Sequence, residues 1–265
     1  MSLGLYMKNM KNMKIFVGTS GYSYKEWKGR FYPEKISPKD MLRFYAQRLT
    51  AVEINNTFYH MPTEPVLASW AGQVPDDFVF AIKAPQVITH LKRLRDVGGE
   101  TEYLFRTLSS LGRKLGPVLF QFPPYFRADR LRLENFLALI PGNFSCAFEF
   151  RHPSWLEADI HDLLRSRGLS LCLADTEENP VTEIIPTAPW GYLRLRRADY
   201  TEADLSPWLE RIMAQKWEQA FVFFKHEGDA QGPQTAIRFR ELADSIAFAK
   251  SSFLLSPLPP TGEEG

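Results

Sequence analysis

The chain has 265 residues, a formal net charge of +1 and a hydrophobic content of 45%. That length is generous for one ordinary domain and suits a single barrel of about 250 residues. The near-neutral charge excludes a whole-molecule attraction to nucleic acid or membrane, so any anion binding must come from local clustering.

Eight short apolar runs follow one another: Lys14–Ser20, Ala51–Thr57, Phe78–Ala84, Val118–Phe122, Cys146–Arg151, Leu169–Asp175, Tyr192–Arg196 and Phe221–His226. Each has strand length, and helix-like stretches separate most of them. Ser37-Pro38-Lys39-Asp40 predicts a helix start, with Ser as N-cap and Pro in the first turn, running to about Leu49. Glu64–Gln73, Glu102–Leu115 and Asp129–Ile140 predict shorter helices. Ser154-Trp155-Leu156-Glu157 has the capping-box spacing and opens a helix to about Arg167, which Gly168 stops. Between the sixth and seventh strands Pro180, Pro186 and Pro189 leave little room for helix. Thr201-Glu202-Ala203-Asp204 starts another helix, and Gly232-Pro233 precedes a last one to about Lys250.

Strands alternating with helices predict an α/β fold, a single (β/α)8 TIM-like barrel over residues 14–250. Residues 1–13 read as an extension and residues 251–265 as a Pro-rich tail. Leu258–Gly262 matches the sortase sorting pattern, but the apolar stretch and basic end of such a signal do not follow it. No apolar run approaches the about 20 residues that span a bilayer, and no secretory leader pattern is present. Cys146 and Cys172 both read as outward, helix-packed positions, hence buried free thiols in a reducing cytoplasm.

Strand alternation sorts the side chains. Residues two apart on a strand share a face, and a barrel packs its apolar strand face against the helices. On the second strand Val52 and Ile54 oppose Glu53 and Asn55. On the fifth, Cys146, Phe148 and Phe150 oppose Ala147, Glu149 and Arg151. On the seventh, Leu193 and Leu195 oppose Tyr192, Arg194 and Arg196. The same rule adds Lys83, Gln121, Asp175 and Lys225 to the lumen-facing set. The expected mouth therefore sets Glu53, Glu149 and Asp175 among Lys83, Arg151, Arg194, Arg196 and Lys225. Buried unpaired ions cost several kcal/mol each, so these groups must pair, reach water or meet a ligand.

Several motifs in order resemble the YecE-like family, a family of unknown function. They are Gly18-Thr19-Ser20-Gly21-Tyr22 with Trp27 and Phe31-Tyr32-Pro33; Val52–Tyr59; Phe80–Pro85 with Thr89-His90; Gln121–Pro124; and Phe148–Trp155. The resemblance implies a TIM-like barrel and supplies no established activity. Its similarity to barrel nucleases implies phosphodiester chemistry by fold-level analogy alone. The chain departs from the family pattern where Arg194-Leu195-Arg196-Arg197 replaces an Arg-x-His-Gly motif, and where Lys225-His226 replaces an Asn-Asn pair. Both departures add positive charge.

A phosphate or other anion is therefore the expected ligand. Arg151, Arg194 and Arg196 would fork onto its oxygens, with Lys83 and Lys225 as point charges and Asn55, Gln121 and His90 as polar contacts. Arg151 and Arg194 are expected to bind the anion without being needed for folding. Phosphate in barrels commonly sits beside the loops after strands seven and eight, here Gly228–Pro233. Glu53 and Glu149 are the acid/base candidates, with Asp175 third; His152 would carry a proton near neutral pH, or simply order its loop.

Tyr22 and Trp27 lie in a first loop that interleaves aromatics with basic residues, suited to stacking a base or sugar, or to forming a packed lid. His60, His90, His152 and His226 lie in strand-end loops, but no paired helical histidines exist and the cations repel a metal. No cofactor is expected, a divalent cation being the lesser alternative. The expected partner is an anionic small molecule or a nucleic acid, with no membrane, and no protein partner is inferable. An enzyme hydrolysing a phosphate ester or phosphodiester leads. A glycoside hydrolase using Glu53 and Glu149 is one alternative, and a non-catalytic binder of nucleic acid or metabolite is another.

Overall fold

A computed structural model describes residues 13–225 and 230–255. Eight parallel strands form one sheet: β1 (Lys14–Thr19), β2 (Ala51–Ile54), β3 (Val79–Lys83), β4 (Leu115–Gln121), β5 (Cys146–Glu149), β6 (Ser170–Asp175), β7 (Trp190–Leu195) and β8 (Gln219–Phe224). Neighbours in sequence pair from β2 to β8, and β8 returns to β1 with Phe16 opposite Phe221. The result is a (β/α)8 barrel with, among the described residues, seven α-helices around it: α1 (Met41–Ala46), α2 (Glu64–Ala71), α3 (Gly98–Leu108), α4 (Arg130–Leu137), α5 (Ala158–Ser166), α6 (Glu202–Met213) and α7 (Gln231–Leu255).

The β6–β7 connection makes no helix, as its prolines predict. It is tied down by hydrogen bonds instead. Leu171 N donates to Thr187 Oγ1 at 2.7 Å, and the same hydroxyl donates to Leu169 O. α6 starts where expected, and Thr201 and Asp204 form a capping box there.

Two helix starts shift from the sequence expectation, and each has a local cause. Ser154 caps no helix, because its hydroxyl accepts from Ala128 N at 2.8 Å and pairs with His152 Nδ1 at 2.9 Å. A 3-10 turn (Pro153–Trp155) forms there, and α5 begins at Ala158. Ser37 likewise makes no side-chain cap; a 3-10 turn over Pro38–Asp40 precedes α1. The helix expected to reach Leu115 stops at Leu108, and Gly112, at φ 56°, breaks the 3-10 turns that follow. That break lets β4 start three residues before Val118.

Two apolar layers enclose the strands. The outer one packs Val52, Ile54, Phe80, Ile82, Phe120, Phe148, Leu193 and Leu195 against the helices. The inner one fills the lumen, with large rings on β1, β7 and β8 (Phe16, Trp190, Tyr192, Phe221, Phe223) facing small residues on β2, β3 and β5 (Ala51, Ala81, Ala147). Such size complementarity packs a barrel interior solid. Cys172 belongs to the inner layer and not to the outward face expected for it. Two residues along, Ala174 sits beside the inward Arg194. Cys146 is outward as expected, and both thiols are buried and free.

The barrel closes at a narrow seam between β1 and β2. Thr50 N donates to Val17 O at 3.1 Å and Gly21 N to Glu53 O at 2.8 Å. The Tyr45 hydroxyl from α1 fills the gap between those rungs, accepting from Thr19 N at 2.8 Å and donating to Ala51 O at 3.0 Å. A Cβ on Gly18 would sit 1.9 Å from Ala51 O, so the seam requires glycine there. Gly18→Ala is expected to lose about 3 kcal/mol, an overpacking cost, read as a fall in urea midpoint. Gly99→Ala, with open space around its Cβ, should leave the midpoint unchanged or raise it.

Candidate active site at the barrel mouth

The strand parity that fills the lower lumen with rings carries polar groups to its upper end. Ser20 follows β1, and Glu53, Lys83, Gln121, Glu149 and Arg194 end or near-end β2, β3, β4, β5 and β7. At the centre lies Arg194, whose side chain is 3% exposed. Its Nη2 donates to Glu53 Oε1 at 2.9 Å and its Nη1 to Glu149 Oε2 at 2.6 Å, so one guanidinium bridges two buried carboxylates. Glu53 also accepts from Ser20 Oγ (2.9 Å), Asn55 Nδ2 (3.1 Å) and the Tyr192 hydroxyl (2.8 Å). Glu149 accepts from Gln121 Nε2 (2.8 Å) and Arg151 Nε (2.9 Å).

Burial alone would raise the pKa of both carboxyls. Arg194 outweighs it at each, helped at Glu53 by the Tyr192 hydroxyl and at Glu149 by Arg151, so both are held below the ordinary carboxylate range. They stay ionised, which suits charge neutralisation and not proton donation.

Outside this triad stands a second tier of cations. The Arg151 side chain is 43% exposed and keeps its terminal nitrogens free of carboxylates. Arg196 and Lys83, both half-buried, have no carboxylate within ion-pair distance among the described residues. Lys83 Nζ lies 4.0 Å above the Phe58 ring. Burial, and next the Arg194 charge, push its pKa down to about 8 against the pull of Glu149 and Glu53. His90 stands edge-on to the same ring, with centroids 4.8 Å apart, and its Nδ1 meets Thr89 Oγ1 at 2.8 Å. Burial, then Lys83 and Arg151, depress its pKa to about 4, leaving a neutral imidazole at pH 7.

The segment carrying His90 is strained. A π-turn over Val87–Leu91 runs into three non-glycine residues at positive φ: Arg93 (47°), Leu94 (66°) and Asp96 (48°). Each such residue costs on the order of 1–3 kcal/mol and persists only where the surroundings hold it. Here Lys92 Nζ holds it, donating to Asp96 O at 3.0 Å and Glu100 at 2.6 Å.

The structure brings together Glu53, Asn55, Lys83, His90, Gln121, Glu149, Arg151, Arg194 and Arg196. It corrects four sequence expectations. Asp175 is not in the lumen: it lies beside Leu195 on the helix-facing side, where Arg197 forks onto it (Nη2–Oδ1 2.9 Å, Nε–Oδ2 2.8 Å) and the Tyr200 hydroxyl donates at 2.7 Å. Val181 N also donates to it, so its task is to anchor the helix-less β6–β7 connection. Its strand keeps the alternation, but the inward position is Ala174.

Trp27 is 0% exposed, packed among Tyr24, Phe31 and Tyr32, and offers no face to a ligand; the Tyr32 hydroxyl ties down Tyr22 O. Trp27 is thus a packing residue of that loop. His152 accepts from Ser154 N at 3.1 Å through Nδ1 and orders its loop. Arg194 is consumed by Glu53 and Glu149 and belongs to the core, not to the set of residues dispensable for folding.

Lys225 sits after β8 and is half-buried. His226, Gly228 and Asp229 lie outside the described residues. The sequence reading overlooked Ser20, Tyr192 and Phe58. Tyr192 shares the inward parity of Arg194, so alternation pointed to it; Ser20 lies four residues past the inward Phe16 on the same alternation. Phe58 follows β2 in a 3-10 turn, where no periodicity marks it.

No cluster of three or more His, Cys, Asp or Glu gathers in metal-binding range among the described residues. A cavity of about 310 Å³ opens at the opposite end, lined by strand starts including Lys14, Val79, Leu115 and Gln219. Residues at that face serve barrel stability.

Removing Arg194 leaves two ionised carboxylates buried without their shared partner, which costs about 3–5 kcal/mol. Arg194→Met is therefore expected to lose that much stability at pH 7. In the native protein the lowered carboxyls stabilise fully above their unfolded pKa of about 4.5, and that stabilisation is lost as pH falls below it. In Arg194→Met it is already gone, so the gap between the two proteins should narrow from pH 5 to pH 3. Urea titrations across that range check it.

Comparison with known proteins places this geometry in a family. Residues 16–259 match the family described as "Protein of unknown function DUF72". The protein YecE of Escherichia coli (strain K12) is 32% identical over 157 residues, 58% of this chain and 55% of that protein. YunF of Bacillus subtilis (strain 168) is 28% identical over 156 residues, 56% and 54% of the respective chains. The chain thus spans about half the length of the curated relatives it matches. A solved DUF72 family protein from Thermotoga maritima superposes with a TM-score of 0.78 at 27% identity, covering 87% of this chain and 99% of that one. One from Enterococcus faecalis superposes at 0.72 with 18% identity, covering 94% and 100%. The chain belongs to the DUF72 family.

Proposed function

We propose that this barrel is an enzyme that binds a small phosphate-bearing substrate at the mouth, with Arg151, Arg196 and Lys83 as its anion contacts. One observation carries the reading: Arg194 and Arg151 together balance Glu53 and Glu149, so Arg196 and Lys83 stand at the mouth with no carboxylate in ion-pair range among the described residues, and Arg151 keeps only its Nε contact to Glu149. Desolvated cations that the protein itself leaves unpaired are stabilised by an anionic ligand.

The geometry favours a small molecule over nucleic acid, because Trp27, Phe31 and Tyr32 of the first loop are buried rather than presented for stacking. It disfavours a glycoside hydrolase as well. That chemistry needs one carboxyl kept protonated, and both candidates are held ionised on one guanidinium. Hydrolysis of the phosphate ester meets the same difficulty, since neither carboxylate is free to act on water. Two buried free thiols fit a cytoplasmic, reducing setting, and no helix among the described residues is long and apolar enough to cross a membrane.

Thermal shift with inorganic phosphate, phosphosugars, nucleotides and short oligonucleotides tests the reading. A phosphosugar should stabilise the protein, and Arg196→Ala should weaken its apparent affinity about tenfold while leaving the unliganded Tm unchanged. No shift with any anion would sink it. A shift confined to oligonucleotides, falling steeply with salt, would replace the small molecule by nucleic acid.

The pH dependence has a fixed sign. Lys83 is charged below about 8 and neutral above, so affinity should fall as pH rises through that value. The variant Lys83→Met should bind more weakly and lose that step.

A further inference from the structure

Lys83 combines four features that no structural role requires together. It ends β3 facing the lumen at the mouth, where it is half-buried but not sealed. Its Nζ has no hydrogen bond and no carboxylate partner among the described residues, only the Phe58 ring at 4.0 Å. Burial opposes its proton first and Arg194 next, with Arg151 a smaller contribution, and together they outweigh the opposite pull of Glu149 and Glu53. The strained β3 loop and Phe58 hold neutral His90 on the same ring. A lysine kept for packing or for simple charge would be expected to pair with a carboxylate, and Glu53 and Glu149 are both already taken.

A desolvated amine beside other cations is the arrangement that activates lysine as a nucleophile toward carbonyl carbon. We propose that Lys83 forms a covalent imine with the carbonyl carbon of a phosphate-bearing aldehyde or ketone, whose phosphate is held by Arg151 and Arg196. The proposal rests on the anion-binding reading above and adds the reaction class.

In the forward step the neutral amine attacks the carbonyl carbon, and an N–H proton passes to the carbonyl oxygen to give a carbinolamine. That hydroxyl takes a proton from solvent at the open mouth and leaves as water, while the nitrogen lone pair completes the C=N bond. One amine, one carbonyl and one proton become one protonated imine and one water, with nothing oxidised or reduced. The iminium then withdraws electrons from the adjacent carbon, which opens aldol-type bond cleavage or formation and proton exchange at that carbon. The depressed pKa of about 8 supports the step: at pH 7 the free-amine fraction is on the order of a hundredfold above that of an ordinary lysine.

Pyridoxal 5′-phosphate serves as the probe, being a phosphate-bearing aldehyde whose imine absorbs visibly and is fixed by borohydride. The full chain is incubated with it at pH 7, reduced, and mapped by peptide mass spectrometry, with pyridoxal and added inorganic phosphate as the other arms. Lys83 should be labelled at least about tenfold faster than any other lysine. Pyridoxal should label it far less, and phosphate should protect it. The variant Lys83→Arg should fold, read by circular dichroism, yet show no visible imine absorbance and take no label there.

Labelling spread over other lysines with Lys83 no faster, while phosphate still raises Tm, overturns the imine and leaves the anion site standing. Neither label nor thermal shift overturns both. Equal labelling by pyridoxal, unaffected by phosphate, overturns the proposal by removing its anion contacts.

Discussion

A guanidinium in a barrel lumen must be neutralised where it stands, and Arg194 is met from both sides, by Glu53 on β2 and Glu149 on β5. That interaction reaches from β7 across the lumen to two strands on the far side. The strands supply the register and Arg194 supplies the lock. Ser20, Asn55, Gln121 and Tyr192 complete the carboxylate shells, so the charges are hydrogen-bonded as well as paired. Within this cluster the Arg194 Nε makes no hydrogen bond among the described residues. Below this layer the lumen is hydrocarbon; above it the mouth opens.

The same lock sets the electrostatics of the mouth. A triad of one cation and two anions would make the site acidic, but Arg151 and Arg196 overbalance it and Lys83 adds a third charge that the field weakens. The site therefore holds cations of two kinds. Arginines stay protonated and suit fixed recognition of an anion; a lysine near its titration point suits chemistry. Glu53 and Glu149, the residues a glycosidase reading would select, both accept from the one guanidinium.

The DUF72 family carries no assigned activity, and the superposition on the Thermotoga and Enterococcus proteins speaks for the barrel, not for its reaction. What separates this chain's mouth from a generic barrel end is chemical. It has one guanidinium shared by two buried carboxylates, two outer cations, Arg196 and Lys83, with no carboxylate in ion-pair range among the described residues, and a strained loop that holds an imidazole and an amine against one phenyl ring.

Much of this was legible in the sequence because a strand repeats every two residues. Alternation alone set Glu53, Lys83, Gln121, Glu149 and Arg194 in the lumen, and the order of strands and helices fixed the barrel. The resemblance to the YecE-like family agrees with the family match. Asp175 and Cys172 went astray together, since both lie on β6, whose helix-packed face carries Leu171 and Leu173 together with Asp175 and leaves Cys172 in the lumen. Asp175 sits among the helices only because Arg197, Tyr200 and Val181 satisfy it there. Trp27 looked like a ligand platform because local sequence shows a ring's neighbours along the chain but not the Phe31–Tyr32 pair folded over it. Periodicity thus determined which face each residue takes. Which charges pair, and which stay without a carboxylate, was decided by strands far apart in sequence meeting across the lumen, because an ion pair depends on distance in space.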